Sequence, residues 1–199
     1  MTNRTLITTI FDVEPVILCI TKFSPSKVIL LTEEDAADKK VESIETIEKT
    51  FGSMIEIKRK YTSLYDHVQV ASDVADLIDE EHDKGNQIIT NVSGSRKTQA
   101  FGALYGAYAR KDMVKRVVYV TEEDHEIIDF PILSFNISTT KKSILEQIQS
   151  GTSSVGDIAQ KLDISKGMTY NHLRELKSLG YITDEDGYKI TDSGKLAGI

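Results

Sequence analysis

Over residues 1–138, strand-length apolar runs alternate with helix-length amphipathic stretches, and no other feature of the chain restricts its fold as much. Thr5 to Ile10 is a short β-rich run, broken by Phe11-Asp12-Val13-Glu14-Pro15, where Pro15 suits the first turn of a helix. Lys27 to Leu31 reads as a continuous apolar strand of the kind buried in a parallel sheet. Asp35 to Phe51 follows as a helix, with Val41, Ile44, Ile47 and Phe51 on one face. Met54 to Ile57 predicts a third strand, and Val70, Val74, Leu77 and Ile78 mark the inner face of a helix ended by Gly85. Gln87 to Val92 predicts a fourth strand, Thr98 to Lys111 a helix, Arg116 to Val120 a fifth strand and Ile132 to Ile137 a sixth.

Such alternation implies βαβ units, hence an α/β, Rossmann-like, mostly parallel sheet with helices on both faces. Ligands of these sheets bind outside the carboxyl ends of the strands. The loops that matter are therefore Phe11-Asp12, Thr32-Glu33, Tyr61-Thr62-Ser63, Val92 to Lys97 and Thr121-Glu122.

The pattern changes at Thr139, which sets the expected division at 1–138 and 139–199, with Thr140 as the expected helix cap. Lys141 to Gln149 predicts a helix with Ile144, Leu145 and Ile148 inward. Gly151 to Ser154 caps a second, carrying Val155, Ile158, Ala159 and Leu162. Asp163 to Gly167 is a turn, and Met168 to Leu179 a third helix with Met168, Leu173, Leu176 and Leu179 at core spacing. Tyr181-Ile182 and Tyr188 to Thr191 flank an Asp186-Gly187 hairpin turn. Helix, helix, turn, helix, hairpin is the order of a winged helix-turn-helix, whose third helix enters the major groove by its N-terminal part. That end offers Ser165, Lys166, Thr169, Tyr170, Asn171, His172 and Arg174. Asn171 and Arg174 suit adenine and guanine edges, Lys166, Ser165 and Thr169 suit phosphates, and Lys189 on the wing reaches for an adjacent backbone.

The net charge of −7 argues at first against nucleic acid. Residues 141–199 carry 8 basic and 8 acidic side chains, however, so the acidic excess belongs wholly to residues 1–140. A neutral module can still grip double-stranded DNA if its basic residues share a face. Asp184, Glu185 and Asp186 make the wing tip acidic, which keeps open a winged helix that contacts protein instead. One cysteine, Cys19 in an apolar run, excludes an internal disulfide and reads as a small buried hydrophobe. No apolar run is long enough to span a bilayer, the N-terminal stretch lacks a leader's extended apolar core, and a cytoplasmic location is expected.

Asn91-Val92-Ser93-Gly94-Ser95-Arg96-Lys97-Thr98 is the most informative loop. It joins a strand to a helix start, its small residues admit a close ligand, and Arg96 and Lys97 add positive charge where the helix dipole is already positive. Together these suit a phosphate, the alternative being an ordinary solvated turn with two basic residues at a helix start. It is not a P-loop, because Asn91 and Arg96 stand where that motif needs glycine. Nor is it the dinucleotide fingerprint, which needs three glycines after the first strand.

A loop of this kind after the fourth strand, ahead of a C-terminal winged helix, resembles the CRISPR-associated Rossmann-fold (CARF) transcription regulators; the Phe11-Asp12 turn is similar too. The stretches Asp157 to Leu162 and Tyr170 to Leu176 resemble archaeal and bacterial winged-helix regulators. The first resemblance implies a homodimer that binds cyclic oligoadenylate, cyclic tetra-adenylate for example, across its two-fold axis. It implies that Ser93, Gly94, Ser95, Arg96 and Lys97 contact the ligand, with Phe11, Asp12, Thr62 and Ser63 lining it. One departure is that the family's double glycine is here Ser93-Gly94-Ser95. The expected function is a DNA-binding regulator acting on a near-palindromic promoter site, with no metal and no membrane partner. The enzymatic alternative is a ring nuclease with Lys97 stabilising developing charge, and His67 the nearest base by strand-end logic. Ala100, Gly102, Ala103, Gly106 and Ala107 predict close packing of the following helix, on its own domain or on a second copy.

Overall fold

The computed structural model describes residues 3–130, 137–185 and 187–199. The chain divides into two compact units, Met1–Ser134 and Phe135–Ile199. In the first, β1 (Arg4–Thr9), α1 (Val13–Phe23), β2 (Lys27–Thr32), α2 (Asp38–Phe51), β3 (Glu56–Tyr61), α3 (His67–Asp83), β4 (Gln87–Asn91), α4 (Lys97–Ala109), β5 (Val114–Val120) and β6 (Ile127–Phe130) follow in order. The sheet runs β3-β2-β1-β4-β5-β6, parallel except for β6, which pairs antiparallel with β5. The strand expected at 132–137 lies outside the described residues, save for Ile137, which joins the core of the second unit.

The two-residue period of the strands sorts their side chains onto two faces. Leu6, Val28, Leu30, Ile89, Val118 and Val120 pack with Val16, Cys19, Ile20 and Phe23 of α1 and with Ile44 and Ile47 of α2. Burial pushes the Cys19 thiol up to about 12, which fits a small hydrophobe and not a reactive group. Ile7, Ile29, Leu31, Ile88 and Val117 alternate with that set and are equally buried. Helices α3 and α4 account for this second face through Val70, Val74, Ile78, Ala103 and Ala107. The small residues of α4 serve its contact with α3. A Cβ on Gly102 would stand 2.6 Å from Val70 Cβ and 2.8 Å from the His67 carbonyl, and one on Gly106 would stand 2.6 Å from the Ala71 carbonyl.

At the amino end of the sheet lies a polar staple. Glu81, buried at the end of α3, accepts from Lys27 Nζ at 3.0 Å, Thr5 Oγ1 at 2.8 Å, Asn86 Nδ2 at 2.8 Å and Lys84 Nζ at 2.8 Å. Burial alone would raise its pKa, but these hydrogen bonds outweigh burial and hold the carboxyl at about 2.

The second unit holds α5 (Thr139–Gln149), α6 (Val155–Leu162), α7 (Lys166–Ser178), β7 (Ile182–Thr183), β8 (Lys189–Ile190) and α8 (Asp192–Gly198). Its core is Ile144, Leu145, Ile148, Ile158, Leu173, Leu176 and Ile182. Ser138, not Thr140, caps α5, its hydroxyl accepting from Lys141 N. Ser154 caps α6 as expected, accepting from Asp157 N. Helix α7 starts at Lys166, before the expected Met168, because Ser165 caps it. Met168 and Leu179 are exposed and take no part in the core. The terminal α8, capped by Thr191, was not foreseen from the sequence.

Candidate functional site

β1 and β4 lie side by side at the centre of the sheet, and the chain leaves this pair in opposite directions, toward β3 and toward β6. That reversal opens a crevice at the carboxyl edge, the preferred ligand position in such sheets. The loops that flank it are Ile10-Phe11-Asp12 after β1 and Val92 to Arg96 after β4. They lie so close that a Cβ on Gly94 would meet Ile10 Cα at 2.8 Å and Phe11 N at 2.9 Å. Only glycine fits without moving the backbone of one loop. Gly94→Ala is expected to cost about 1–3 kcal/mol of stability, read as a shift of the denaturation midpoint, and to displace the loop from β1.

Several expected ligand contacts turn out to build the loop. Asn91 is fully buried, with Nδ2 donating to Thr8 Oγ1 at 2.9 Å and Oδ1 accepting from Ser93 N at 3.2 Å. Ser93 Oγ donates to that same Asn91 oxygen and accepts from Val120 N at 2.7 Å. Gly94 N donates to Thr9 Oγ1 at 3.1 Å. The Asn91 amide, the Ser93 hydroxyl and the Gly94 N–H are thus engaged inside the protein, where leaving a polar group unpaired would be costly. Thr62 Oγ1 donates to Asp73 at 2.5 Å, and Ser63 Oγ accepts from the amides of Tyr65 and Asp66, so these hydroxyls shape their own loop.

Arg96 and Lys97 are the part of the loop that faces outward. Ser95 is half-buried with φ of 74°, a left-handed conformation. Arg96 and Lys97 are exposed, Arg96 as the N-cap of α4 and Lys97 as its first residue. No side chain caps this helix, so its first-turn N–H groups add to the positive field of the two cations. Phe11 and Asp12 are exposed beside it. Lys39 holds them, its Nζ 2.5 Å from Asp12 Oδ1 and 4.9 Å from the centroid of the Phe11 ring, while Ser43 Oγ donates to the Phe11 carbonyl. Lys39, like the buried Lys40 behind Ser95, was not singled out from the sequence. The signal was there: Lys40 occupies the same buried helical stripe as Ile44 and Ile47. A neighbouring cleft of about 470 Å³ at the ends of β2 and β3 is lined by Glu33, Glu34, Asp35, Tyr61, Thr62 and Leu64. His67 is half-buried at the first position of α3.

In the second unit, Lys166, Tyr170, Asn171 and Arg174 are exposed on α7, and Lys189 is exposed on β8. Arg174 Nη2 lies 3.4 Å from Asn171 Oδ1. Thr169 departs from expectation. It is fully buried and its hydroxyl donates to the Ser165 carbonyl at 3.0 Å, so in this structure it packs the helix. Ser165 is exposed, but its hydroxyl is taken up as the α7 cap. His172 is half-buried with Nδ1 enclosed. Lys141 pairs with Glu175 at 2.8 Å, tying α5 to α7 and holding that carboxyl below its usual range. Lys177 pairs with Asp184 at 2.5 Å, which neutralises one acid of the wing beside the recognition helix.

Among the described residues, no three metal-ligating side chains gather, and no helix is long and apolar enough to cross a membrane.

Residues 6–125 match the family model described as HFX_2341_N:-like, N-terminal, and residues 138–184 match the helix-turn-helix model of bacterial regulatory proteins of the arsR family. No curated protein matches the chain. Among solved structures, Enterococcus italicus Csm6 bound to cyclic hexa-2'-fluoro-hexa-dAMP is similar at 14% identity and a TM-score of 0.52, over 90% of this chain and 55% of its own. The protein VC1899 from Vibrio cholerae is similar at 10% identity and a TM-score of 0.51, over 98% of this chain and 64% of its own. A type III CRISPR defence DNA nuclease activated by cyclic oligoadenylate is similar at 13% identity and a TM-score of 0.50, over 86% of this chain and 33% of its own. This chain therefore spans less than two-thirds of the length of each, and at such identities the likeness is one of fold.

Proposed function

We propose, from the premise that the chain belongs to the HFX_2341_N-like family and joins a CARF-type Rossmann domain to a winged helix-turn-helix, that it is a transcription regulator governed by cyclic oligoadenylate. Residues 1–138 form the sensor and residues 139–199 the DNA-binding part. The observation that carries this reading is the exposed Arg96-Lys97 pair at the sheet's reversal point, at the head of an uncapped helix. Two formal cations, with no acidic partner among the described residues and placed against the helix dipole, are unfavourable for the free protein and favourable for a bound polyphosphate. A homodimer presents two such turns about its axis, matching the symmetry of cyclic tetra-adenylate. Ligand held between two sensors changes the spacing of two recognition helices, and hence their fit to two half-sites of a near-palindromic operator. An internal, cytosolic location follows from a ligand and a target of this kind.

The test is footprinting of the full chain on its neighbouring promoters, with and without cyclic tetra-adenylate. A protected near-palindrome whose occupancy changes with the ring supports the reading. Absence of any protected sequence turns the winged helix into a protein-binding module. Within the leading reading, Asn171→Ala and Arg174→Ala are each expected to cost about 1–3 kcal/mol of discrimination between operator and random DNA, measured by fluorescence anisotropy at fixed salt. Lys166→Ala and Lys189→Ala are expected to weaken both DNAs alike and to flatten the salt dependence.

A further inference from the structure

Lys40 is 1% exposed, yet its ammonium touches the ligand loop from behind. A lysine taken out of water must have its donors met. Here Nζ donates to Glu33 Oε2 at 2.6 Å, to Ser95 Oγ at 3.2 Å and to Gln99 Oε1 at 3.2 Å, which uses all three of its N–H groups. Burial draws the pKa of Lys40 down, and the hydrogen bond and charge of Glu33 draw it up. Gln99 is itself buried and extends the network, its Nε2 donating to the Ser63 carbonyl at 3.1 Å. One buried cation therefore joins the loops after β2, β3 and β4.

The chemistry at Ser95 follows from this. Its hydroxyl accepts from Lys40 on the inner side, so its own proton is left to point away from Lys40. An accepted hydrogen bond from a cation also polarises that O–H and strengthens it as a donor. The same contact holds a non-glycine residue in a left-handed turn, φ of 74°, which serine alone does not favour. We infer that Lys40 is a positioning residue for the anion site: it locks the Ser95 turn and sets the Ser95 hydroxyl as a donor to a ligand phosphate. This rests on the reading of residues 93–97 as the ligand loop.

The experiment has a part that needs no ligand. Hydrogen exchange of the full chain is followed by mass spectrometry on peptides covering residues 91–98. Lys40→Met is combined with Glu33→Gln, so that neither partner is left as an uncompensated charge. The amides of Ser95 to Lys97 are expected to exchange about tenfold faster, as for the loss of one stabilising hydrogen bond, while peptides of β1 exchange as in the parent. Exchange unchanged in the loop overturns the inference. If the pair variant fails to melt cooperatively, Gln99→Met, which removes one of the three acceptors, takes its place with the same direction expected.

The second part is a calorimetric double-mutant cycle with cyclic tetra-adenylate. The Lys40→Met/Glu33→Gln variant and Ser95→Ala are each expected to bind about tenfold more weakly, and their combination no more weakly than either. Losses that multiply independently overturn the inference. If the parent protein binds no ring while the exchange difference stands, it is the ligand reading that fails, and the hold of Lys40 on the loop remains.

Discussion

Replacing Arg96 and Lys97 together by alanine is expected to weaken cyclic tetra-adenylate binding by at least about 100-fold, because hydrogen bonds to charged groups contribute about 1.5–3 kcal/mol each and tenfold in affinity is about 1.4 kcal/mol. Both side chains are exposed, so the free protein loses nothing in packing. It gains slightly, since cations at the head of α4 oppose the helix dipole, and their removal is expected to stabilise the domain by about 0.3–1 kcal/mol. The variant should therefore melt no lower than its parent while failing to bind the ring in a calorimetric titration. Such a pairing of higher stability with lost affinity separates a ligand site from a structural turn. Lys111→Ala, beyond the far end of the same helix, is the control and should bind as the parent does. Parent-like affinity in the double variant would move the ligand away from this loop altogether.

The second large effect belongs to the opposite edge of the sheet. Glu81→Leu is expected to destabilise the first unit by about 3–5 kcal/mol, the usual cost of removing one partner from a buried ion pair. Lys27, with a side chain 11% exposed, would keep, among the described residues, only the half-exposed Glu56 carboxylate at 3.5 Å, and Thr5 Oγ1 would lose its acceptor. With about 2–4 °C of melting temperature per kcal/mol in a protein of this size, the fall should be about 10 °C. Glu80→Leu, exposed one residue earlier, should change stability by less than about 0.5 kcal/mol. The same carboxyl gives a pH signature. Its folded pKa of about 2 lies below the ordinary 4.5, so its contribution is complete above pH 4.5 and is lost as pH falls toward 2. Acid titration of stability should show this loss in the parent and not in Glu81→Leu.

β2 was legible because it reads as a nearly unbroken apolar run: it is buried at every position and was placed to within a residue. β3 was not. Its span lies beyond the apolar Met54 and Ile55, in Glu56-Ile57-Lys58-Arg59-Lys60-Tyr61, because it is the sheet's edge and charged side chains suit an edge. β6 is short, follows an acidic turn and depends on β5 for its pairing, so local pattern did not mark it. The loop of residues 91–98 was legible as a strand-to-helix turn, yet the hydrogen bonds inside it were not. Whether Ser93 or Ser95 points outward depends on Thr8, Thr9, Val120 and Lys40, which reach the loop from other elements. Likewise Thr169 belongs by sequence to the exposed end of a recognition helix, and only the rotation of α7 on its core turns it inward.

The glycines of α4 have a mechanical consequence. With Gly102 and Gly106 set against the backbone carbonyls of His67 and Ala71, the two helices meet almost main chain to main chain. Little side-chain padding remains between them to absorb a displacement, and close-packed interiors compress little and transmit strain. α3 and α4 are therefore one stiff bar with two heads, one at Asp66 and one at Arg96, both at the carboxyl edge of the sheet. A push on either head is delivered to the whole bar, down to its far end at Asp83 and Ala109, rather than dissipated within one helix.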